Sequence, residues 1–359
     1  MIGFFTVITK NYLAFAHVLM SRIAELHPDS ARYIFMIDVE TGEDLVSENL
    51  AHCLGTNDFF LKGLEQQLHF KYNAFELSNA ARPHAHRYLY EQTDCDRWIY
   101  LDSDIFPTAA MDALFDPSGK AQILLSPHRI TPSGDILQPY GELRLLQNGP
   151  FNSGFLGIKR GKHSERFIDW FEDCCNQRCY DRVDYCFVDQ LWLGLVPTLF
   201  DSVRIVKHPG INIGYWNIDE RPMEYDSEGV LTVEGSPVLF LHFSGWDLDH
   251  PETMSCHFSD ETVSKPWFDY AAEYSKALKK AQEVYPRNIP YRWNTYEDGT
   301  PISSKERRKF AGMVENGEWP EELSPFAAQD ILREKELDRT ERIFGRIRKI
   351  PRKFFNLFR

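Results

Sequence analysis

The sequence predicts an α/β fold, in which a mainly parallel sheet is covered by helices on both faces and followed by a helical region. Short apolar runs rich in β-branched and aromatic residues alternate with helical patterns over roughly the first 260 residues, which is typical of such sheets. Hydrophobic residues make up 43% of the chain and aromatic residues 14%, which is enough for a packed core. After about Ser264 the pattern becomes helical and strongly charged.

The first part of the chain alternates strands and helices. A β-rich run predicts a strand at 3–9, and apolar residues three and four positions apart predict a helix at 11–28. A second strand is predicted at 32–40, where it ends in acidic residues. A helix at 82–92 is predicted to lead into an apolar strand at 98–107, WIYLDSDIFP. Strand, helix and strand within the first 40 residues indicate a parallel sheet.

The alternation continues with shorter segments. Apolar runs predict strands at 121–127, 154–160, 203–209 and 237–245. Between the second and third of these runs, a helix is predicted at 163–177. These segments complete the predicted sheet and its helical layers.

Three regions follow from these patterns. We expect an α/β domain at 1–263, a helical C-terminal region at 264–341 and a basic amphipathic tail at 342–359. After the α/β domain, helical patterns occur at 267–285, 304–317 and 326–349.

The charge of the chain argues against one class of partner and sets the tail apart. The net charge is −13, so we expect no nucleic-acid partner. The tail at 342–359 carries seven basic residues and no acidic one. Three phenylalanines among its last six residues favour an amphipathic segment on an anionic membrane surface over a disordered, solvated end.

The remaining composition predicts the cellular compartment. No apolar run reaches the roughly 18 residues of a membrane-spanning helix, and the N-terminus lacks the basic region of a secretory signal. The seven cysteines and the lack of Asn-x-Ser/Thr acceptors favour a reducing compartment. Four of the cysteines cluster at 174–186, but without CxxC knuckles, which disfavours zinc. We expect a cytoplasmic protein, peripheral on the inner face of the cytoplasmic membrane.

Two carboxylates stand at the end of the apolar run in WIYLDSDIFP. Asp102 and Asp104 are two residues apart, so on an extended chain they point to the same side and repel unless a cation lies between them. Capping of a turn is the alternative, although one aspartate would suffice for it. The pair therefore predicts a bound cation.

Polar residues also follow other predicted strands, at the sheet edge where ligands of α/β proteins bind. Among them are Asp38, Ser126–His128 and His242–Ser244. If these ends converge with the aspartate pair, three carboxylates and an imidazole form a donor set that suits Mn²⁺ or Mg²⁺ better than zinc. For His242, a buried histidine bonded to a backbone carbonyl is an equal alternative.

Four short motifs occur in order along the chain: WIYLDSDIFP, FNSGFLGI, FVDQLWLG and LHFSGW. Together they resemble nucleotide-sugar-dependent glycosyltransferases of the GT-A fold, and are most similar to the retaining family-8 type typified by glycogenin and bacterial lipopolysaccharide galactosyltransferases. The resemblance covers about residues 3–250. It implies a Rossmann-like GT-A domain, Mn²⁺ or Mg²⁺ as cofactor, and retention of configuration. It further implies transfer from a UDP-sugar to a glycan or lipid-linked acceptor in bacterial surface polysaccharide or lipopolysaccharide assembly.

The resemblance also implies roles for individual residues. Asp102 and Asp104 match the D-x-D pair, whose second member binds the metal while the first contacts the metal or the ribose. His242 matches the histidine that completes the metal site. The implied nucleotide contacts are Thr9, Lys10, Asn11, Tyr12, Asp38, Arg82, Asp102 and Ser103. The implied contacts of donor sugar and acceptor are Asn152, Asp189 and Gln190.

One feature departs from the family pattern. Members usually carry a lysine shortly after the C-terminal histidine, where it binds the diphosphate, whereas HFSGWDLDHP contains none. Arg82, Lys10 and Lys207 are alternative sources of that positive charge.

Breaking a sugar–diphosphate bond also places positive charge on the anomeric carbon, and Asp189 and Gln190 are the candidates to face it. An inverting reaction would instead need a base, for which Asp189, Asp247, Asp249 and His128 are alternatives. In another stretch, KHPGINIGYWNIDERP, the aromatic side chains of residues 215 and 216 are expected either to face a sugar or to pack in the core.

Two rival functions remain at this level. A haloacid-dehalogenase phosphatase also carries an aspartate pair after a strand, but Phe106 occupies the position where its threonine or valine would stand. The other rival is a catalytically silent protein of the same fold that binds a nucleotide sugar or a carbohydrate. Loss of the metal site cannot be its cause, because Asp102, Asp104 and His242 are all present.

Overall fold

The fold is a mixed sheet between helical layers. The computed structural model describes residues 1–41, 46–47, 49–60, 63–115, 119–138, 140–183, 185–257 and 264–333. Its strands are β1 Ile2–Ile8, β2 Ala31–Met36, β3 His52–Leu54, β4 Arg97–Leu101, β5 Ile105–Pro107, β6 Ile123–Pro127, β7 Phe151–Lys159, β8 Val203–Ile205, β9 Met223–Tyr225, β10 Leu231–Val233, β11 Ser236–Pro237 and β12 Phe240–His242.

The α-helices are α1 Leu13–Leu26, α2 Thr56–Phe59, α3 Glu65–Lys71, α4 Ala74–Ala80, α5 Arg82–Gln92, α6 Glu142–Asn148, α7 Lys162–Gln177, α8 Gln190–Leu193, α9 Val196–Leu199, α10 Lys265–Gln282, α11 Ser304–Glu315 and α12 Gln329–Arg333. Short 3₁₀ turns lie at Lys10–Tyr12, Asp112–Leu114, Ile218–Glu220, Arg292–Asn294 and Pro325–Ala327.

Within the described residues, seven strands form the main sheet in the order β3-β2-β1-β4-β7-β6-β8. The neighbours of β1, β2 and β8 run parallel to them. Strand β7 runs antiparallel to both β4 and β6. The predicted α/β fold with a mainly parallel sheet is confirmed.

Side chains of the central strands alternate between two apolar cores, one on each face of the sheet. In β1, Phe5 and Val7 join the core that contains residues of α5 and α7. Phe4 and Ile8 join the core on the opposite face, where α1 packs. Because successive side chains of a strand point to opposite faces, a continuous apolar run in β1 is what a doubly covered sheet requires.

The predicted strand at 98–107 is interrupted, which corrects the expectation of an extended chain through the two aspartates. Strand β4 ends at Leu101, and a turn closed by a 3.1 Å hydrogen bond from the Ile105 N–H to the Asp102 carbonyl leads into β5. Strand β5 leaves the main sheet and pairs antiparallel with β12, in the register His242 opposite Ile105. The turn therefore brings His242 beside the aspartates.

The chain divides into two compact units, Met1–Asn294 and Thr295–Arg359. This division differs from the expected boundary at 263/264. Helix α10 belongs to the first unit because apolar side chains such as Trp267 and Tyr274 pack in one core with Phe15 of α1. No helix of the described residues is long and apolar enough to cross a membrane.

The second unit contains α11 and α12. Ser303 caps α11, accepting a 3.3 Å hydrogen bond from the Glu306 N–H. Glu306 accepts a 2.6 Å hydrogen bond from Arg333 of α12, which ties the two helices together. The tail at 342–359 lies outside the described residues, so its association with a membrane surface stays a prediction.

Candidate metal centre and cleft

Asp102, Asp104 and His242 converge at the end of β4. One ligand atom from each lies within 4.8 Å of the others. The His242 Nε2 atom is 3.1 Å from an oxygen of Asp104 and 3.7 Å from an oxygen of Asp102. Two carboxylates and an imidazole, so placed, form a donor set for a divalent cation such as Mn²⁺ or Mg²⁺.

The second ring nitrogen of His242 is held by an amide. Its Nδ1 lies 2.9 Å from Asn212 Oδ1, and Asn212 Nδ2 donates to Asn152 Oδ1 at 3.0 Å and to Ser126 Oγ at 3.2 Å. Because the amide nitrogen is already donating, the amide oxygen accepts from Nδ1–H, which leaves Nε2 as the ring nitrogen directed at the aspartates. This is the arrangement that a metal-binding histidine requires.

The protonation states of the cluster reflect its charges. Burial by itself lowers the pKa of His242 and raises that of Asp104, because it disfavours charge. The attraction between the two groups outweighs burial, so the pKa of His242 is raised and the pKa of Asp104 is lowered. Both partners therefore favour their charged forms. A cation that binds here would replace the proton of His242.

Gly154 of β7 leaves the space in which the cluster sits. A Cβ atom at this position would lie 2.4 Å from His242 Cε1 and 2.8 Å from oxygens of Asp102 and Asn152. Only a residue without a side chain lets the segments that carry Asp102, Asn152 and His242 approach so closely. The space and the donor set together fit a bound Mn²⁺ or Mg²⁺.

Gly154→Ala is expected to lower the affinity for Mn²⁺ by about ten- to a hundredfold, because the added methyl group displaces His242 and Asp102. Titration of Mn²⁺ followed by its electron paramagnetic resonance signal measures this. Gly157→Ala is the matched control in the same strand: the atoms nearest to its Cβ would belong to the Leu124 side chain, at 3.0 Å, so it should change stability and leave Mn²⁺ affinity intact. Equal affinities of wild type and Gly154→Ala would refute the assignment.

Arg82, the first residue of α5, is a buried cation that joins two carboxylates. Its guanidinium donates to Asp102 Oδ1 at 2.7 Å and to Asp189 Oδ2 at 3.0 Å. It also donates to Ser153 Oγ at 2.9 Å and lies 4.6 Å from the ring centroid of Tyr100. Since the Asp102 oxygen facing Arg82 is thus occupied, the other oxygen is the one turned towards His242.

Asp189 and Gln190 differ in their access to the cleft. Asp189 is 1% exposed, and burial raises its pKa although Arg82 lowers it. Gln190 lines the cleft, and its amide is fixed by a 3.2 Å bond from the Ser153 N–H and a 2.8 Å bond to the Asn148 carbonyl. Within the described residues, Asp189 does not line the cleft; it accepts a hydrogen bond from Arg82, which does.

The end of β1 forms another wall of the site. Thr9 Oγ1 donates to Asn11 Oδ1 at 2.6 Å, and the backbone N–H of Lys10 donates to Asp38 Oδ1 at 2.8 Å. Burial raises the pKa of Asp38 to about 6, against the lowering effect of that hydrogen bond. Tyr12 follows on the same turn and is partly exposed. The turn is thereby fixed to the end of β2, where Asp38 lies.

These walls enclose a cleft of about 870 Å³. The residues predicted from the sequence that line it are Thr9, Asn11, Tyr12, Arg82, Asp102, Ser103, Asp104, Asn152, Gln190 and His242. The predicted residues that do not line it are Lys10, Asp38 and Asp189. Of the alternative cations, Arg82 lines the cleft and is paired with carboxylates, whereas Lys207 is exposed elsewhere.

The aromatic pair at 215 and 216 lines the cleft and also packs against other rings, and its contact with a sugar stays a prediction. Tyr215 and Trp216 line the cleft, and Trp216 also packs edge-on against the His242 ring at 5.0 Å. Sequence reasoning missed Asn212, Arg144 and Arg182, of which the two arginines line the cleft. For Asn212 the available signal was its place between glycines in GINIGYW; nothing in the sequence pattern distinguishes the arginines from solvated surface charges.

The fold and the cleft define an α/β protein with a candidate divalent-metal centre at the carboxyl end of its parallel strands. No protein-family model matches the chain. The chain is similar to the uncharacterized protein YfnF of Bacillus subtilis (strain 168), at 27% identity over 252 residues that make up 67% of this chain and 80% of YfnF.

Among solved structures, the chain is similar to galactosyltransferase LgtC in complex with donor and acceptor sugar analogues, at 15% identity and a TM-score of 0.42, covering 82% of this chain and 99% of LgtC. It is also similar to the apo form of glycosyltransferase GlyE of Streptococcus pneumoniae TIGR4, at 16% identity and a TM-score of 0.45, covering 82% of this chain and 66% of that one.

Proposed function

We propose that this protein is a metal-dependent glycosyltransferase. It would move a sugar from a nucleoside-diphosphate sugar, with UDP as the nucleotide, to a glycan or lipid-linked acceptor in bacterial surface polysaccharide or lipopolysaccharide assembly. The observation that carries the proposal is the cluster of Asp102, Asp104 and His242 in a cleft large enough for a nucleotide sugar.

The cluster supplies the means to stabilise the leaving group. Asp102, Asp104 and His242 would hold Mn²⁺ or Mg²⁺, which supplies positive charge to the departing diphosphate without a proton transfer. Arg82 and Asn212 keep two of the three ligands oriented by the hydrogen bonds described above. The protein thereby presents a preformed site, which costs little reorganisation when substrate binds.

We assign the donor sugar to the part of the cleft lined by Asn152 and Gln190. The Asn152 and Gln190 side chains line the cleft next to the cluster, and hydrogen bonds fix both amides. The nucleotide would lie against the turn that contains Thr9, Asn11 and Tyr12. In this order the scissile bond would lie beside the cluster.

Retention of configuration is the outcome that we propose. An inverting reaction requires a base that faces the acceptor. Of the candidates, Asp189 is buried behind Arg82, and neither Asp247 nor Asp249 is among the described lining residues. His128 lines the cleft, but burial lowers its pKa to about 4, which makes it a weak base. These observations support a mechanism without a dedicated base.

Thermal unfolding with a panel of nucleotide sugars, with and without Mn²⁺, tests the function. A ligand at a hundred times its dissociation constant should stabilise the folded protein by about 2.7 kcal/mol, and only when Mn²⁺ is present. Release of UDP from the stabilising donor, measured with an added acceptor or water, separates an enzyme from a catalytically silent binding protein. If no nucleotide sugar shifts the unfolding temperature with Mn²⁺, the proposal is wrong.

A further inference from the structure

Two exposed arginines, Arg144 and Arg182, line the cleft in addition to the buried Arg82. Walls of low dielectric concentrate the field of such charges inside a cleft. What the pair could bind depends on how each arginine is held.

The Arg144 guanidinium forms no ion pair within the described residues, and its backbone belongs to a helix that is hydrogen-bonded to the cleft wall. It lies on α6, and within the described part of the chain no carboxylate is at ion-pair distance; its guanidinium contacts Gln147 Oε1 at 3.4 Å. Helix α6 ends at Asn148, whose carbonyl accepts the 2.8 Å hydrogen bond from the Gln190 amide. Arg144, one turn earlier on the same helix, is therefore tied to the wall that we assign to the donor sugar.

Arg182 is presented by a constrained loop. Its backbone has a φ of +54°, and Val188, farther along the same loop, has a φ of +42°. Non-glycine residues rarely adopt this region, and such strain is typically kept where it orients a functional group. The guanidinium lies 4.7 Å from the ring centroid of Phe187 and 3.6 Å from Asp181. The stacking limits its motion, and the exposed ion pair neutralises it only in part.

A row of aromatic rings in contact begins at His242 of the metal cluster and ends at His257. The Trp216 ring is 5.0 Å from that of His242, Tyr215 is 5.0 Å from Trp216, and His257 is 5.2 Å from Tyr215. Burial lowers the pKa of His257, and the charges of the two arginines lower it further. Both arginines line the same cleft as these rings.

We propose that Arg144 and Arg182 form an oxyanion-binding subsite, separate from the metal cluster, for a phosphate or carboxylate group of the substrate. The assignment of this group to a substrate rests on the proposed glycosyltransferase function. The geometry itself points only to an anion: two guanidinium groups line one cleft, and guanidinium is suited to phosphate and carboxylate. Two sources share this chemistry: an acidic donor sugar and a phosphate on the acceptor.

The first experiment measures binding of inorganic pyrophosphate to the metal-free protein by isothermal titration calorimetry. Arg144→Gln and Arg182→Gln should each weaken binding by about tenfold, the effect of losing a hydrogen bond to a charged group. Both side chains are exposed, so the variants should fold normally. Arg166→Gln is the control, since Arg166 is an exposed arginine of α7 that does not line the cleft. Affinities of both variants equal to that of Arg166→Gln would overturn the proposal, as would a wild type that does not bind pyrophosphate.

A second set of titrations, with Mn²⁺ present, identifies the source of the oxyanion. A loss for UDP-glucuronate but not for UDP-glucose assigns it to an acidic donor sugar, and a loss for inorganic phosphate in the presence of UDP assigns it to the acceptor. Either result supports the subsite. If the variants instead lose affinity for UDP more than for UMP, the arginines contact the donor diphosphate at the metal cluster, and a separate subsite is ruled out. The proposed function fails on a different result: a wild type that neither binds UDP in a Mn²⁺-dependent way nor releases UDP from a nucleotide sugar.

Discussion

Asp104→Asn is expected to abolish Mn²⁺-dependent nucleotide binding and to reduce sugar transfer by more than about a hundredfold. Asparagine keeps the size of the side chain and removes the charge that faces His242 at 3.1 Å. Without that charge the site has one carboxylate and one imidazole, a weak donor set for Mn²⁺. Isothermal titration of UDP in the presence and absence of Mn²⁺ measures the loss of binding, and UDP release measures the loss of transfer.

The control for this variant is Asp249→Asn, which removes the same charge from an exposed position that does not line the cleft. We expect its binding and its activity to equal those of the wild type. The metal assignment would have to be abandoned if Asp104→Asn bound UDP with Mn²⁺ as tightly as Asp249→Asn does. A general effect of lower negative charge on an acidic protein is excluded by the same comparison.

The fold could be predicted from the sequence because apolar cores cover both faces of the sheet. Phe4 and Phe5 of β1 enter opposite cores, so the strand is apolar at every position and stands out against its polar surroundings. Helix α5 was predicted with its observed bounds, Arg82–Gln92, because Pro83 near its start and a polar segment after it delimit the pattern. The antiparallel direction of β7 could not be predicted from the sequence, because the composition of a strand does not depend on its direction.

The metal cluster was predicted from residue types at strand ends, and its geometry was not. Asp102 and Asp104 lie on a turn, and His242, 138 positions after Asp104, reaches them through the pairing of β5 with β12. The supporting residues were missed for the same reason. Asn212 bonds to His242 from a loop, and Gly154 matters only because three segments meet around it.

The role of Arg82 was also predicted only in part. The resemblance implies a basic residue near the nucleotide or diphosphate, and Arg82 does line the cleft. Its charge is already shared between Asp102 and Asp189, two carboxylates separated by 87 positions. The sequence could not indicate this pairing, because no local pattern connects α5, the turn after β4 and the loop before α8.

Arg82→Met is therefore expected to destabilise the protein by about 3–5 kcal/mol, the cost of leaving a buried carboxylate without its partner. Methionine fills much of the volume and offers no hydrogen bond, so Asp189 is left buried and unpaired. The free energy of unfolding, from urea or guanidinium titration followed by circular dichroism, measures the effect. Arg166→Met, at an exposed position of α7, should change it by less than about 0.5 kcal/mol.

Dependence on pH distinguishes the lost charge pair from a simple packing defect. Burial raises the pKa of Asp189, and loss of Arg82 would raise it further because the arginine is the main opposing charge. A carboxyl with a pKa higher in the folded than in the unfolded state loses its contribution to stability as the pH rises, so Arg82→Met should be less destabilised at pH 5 than at pH 8. Arg82→Met combined with Asp189→Asn should recover part of the loss and remove part of this pH dependence. A destabilisation that is equal at both pH values and unchanged in the double variant would contradict a buried charge pair and leave only the loss of packing.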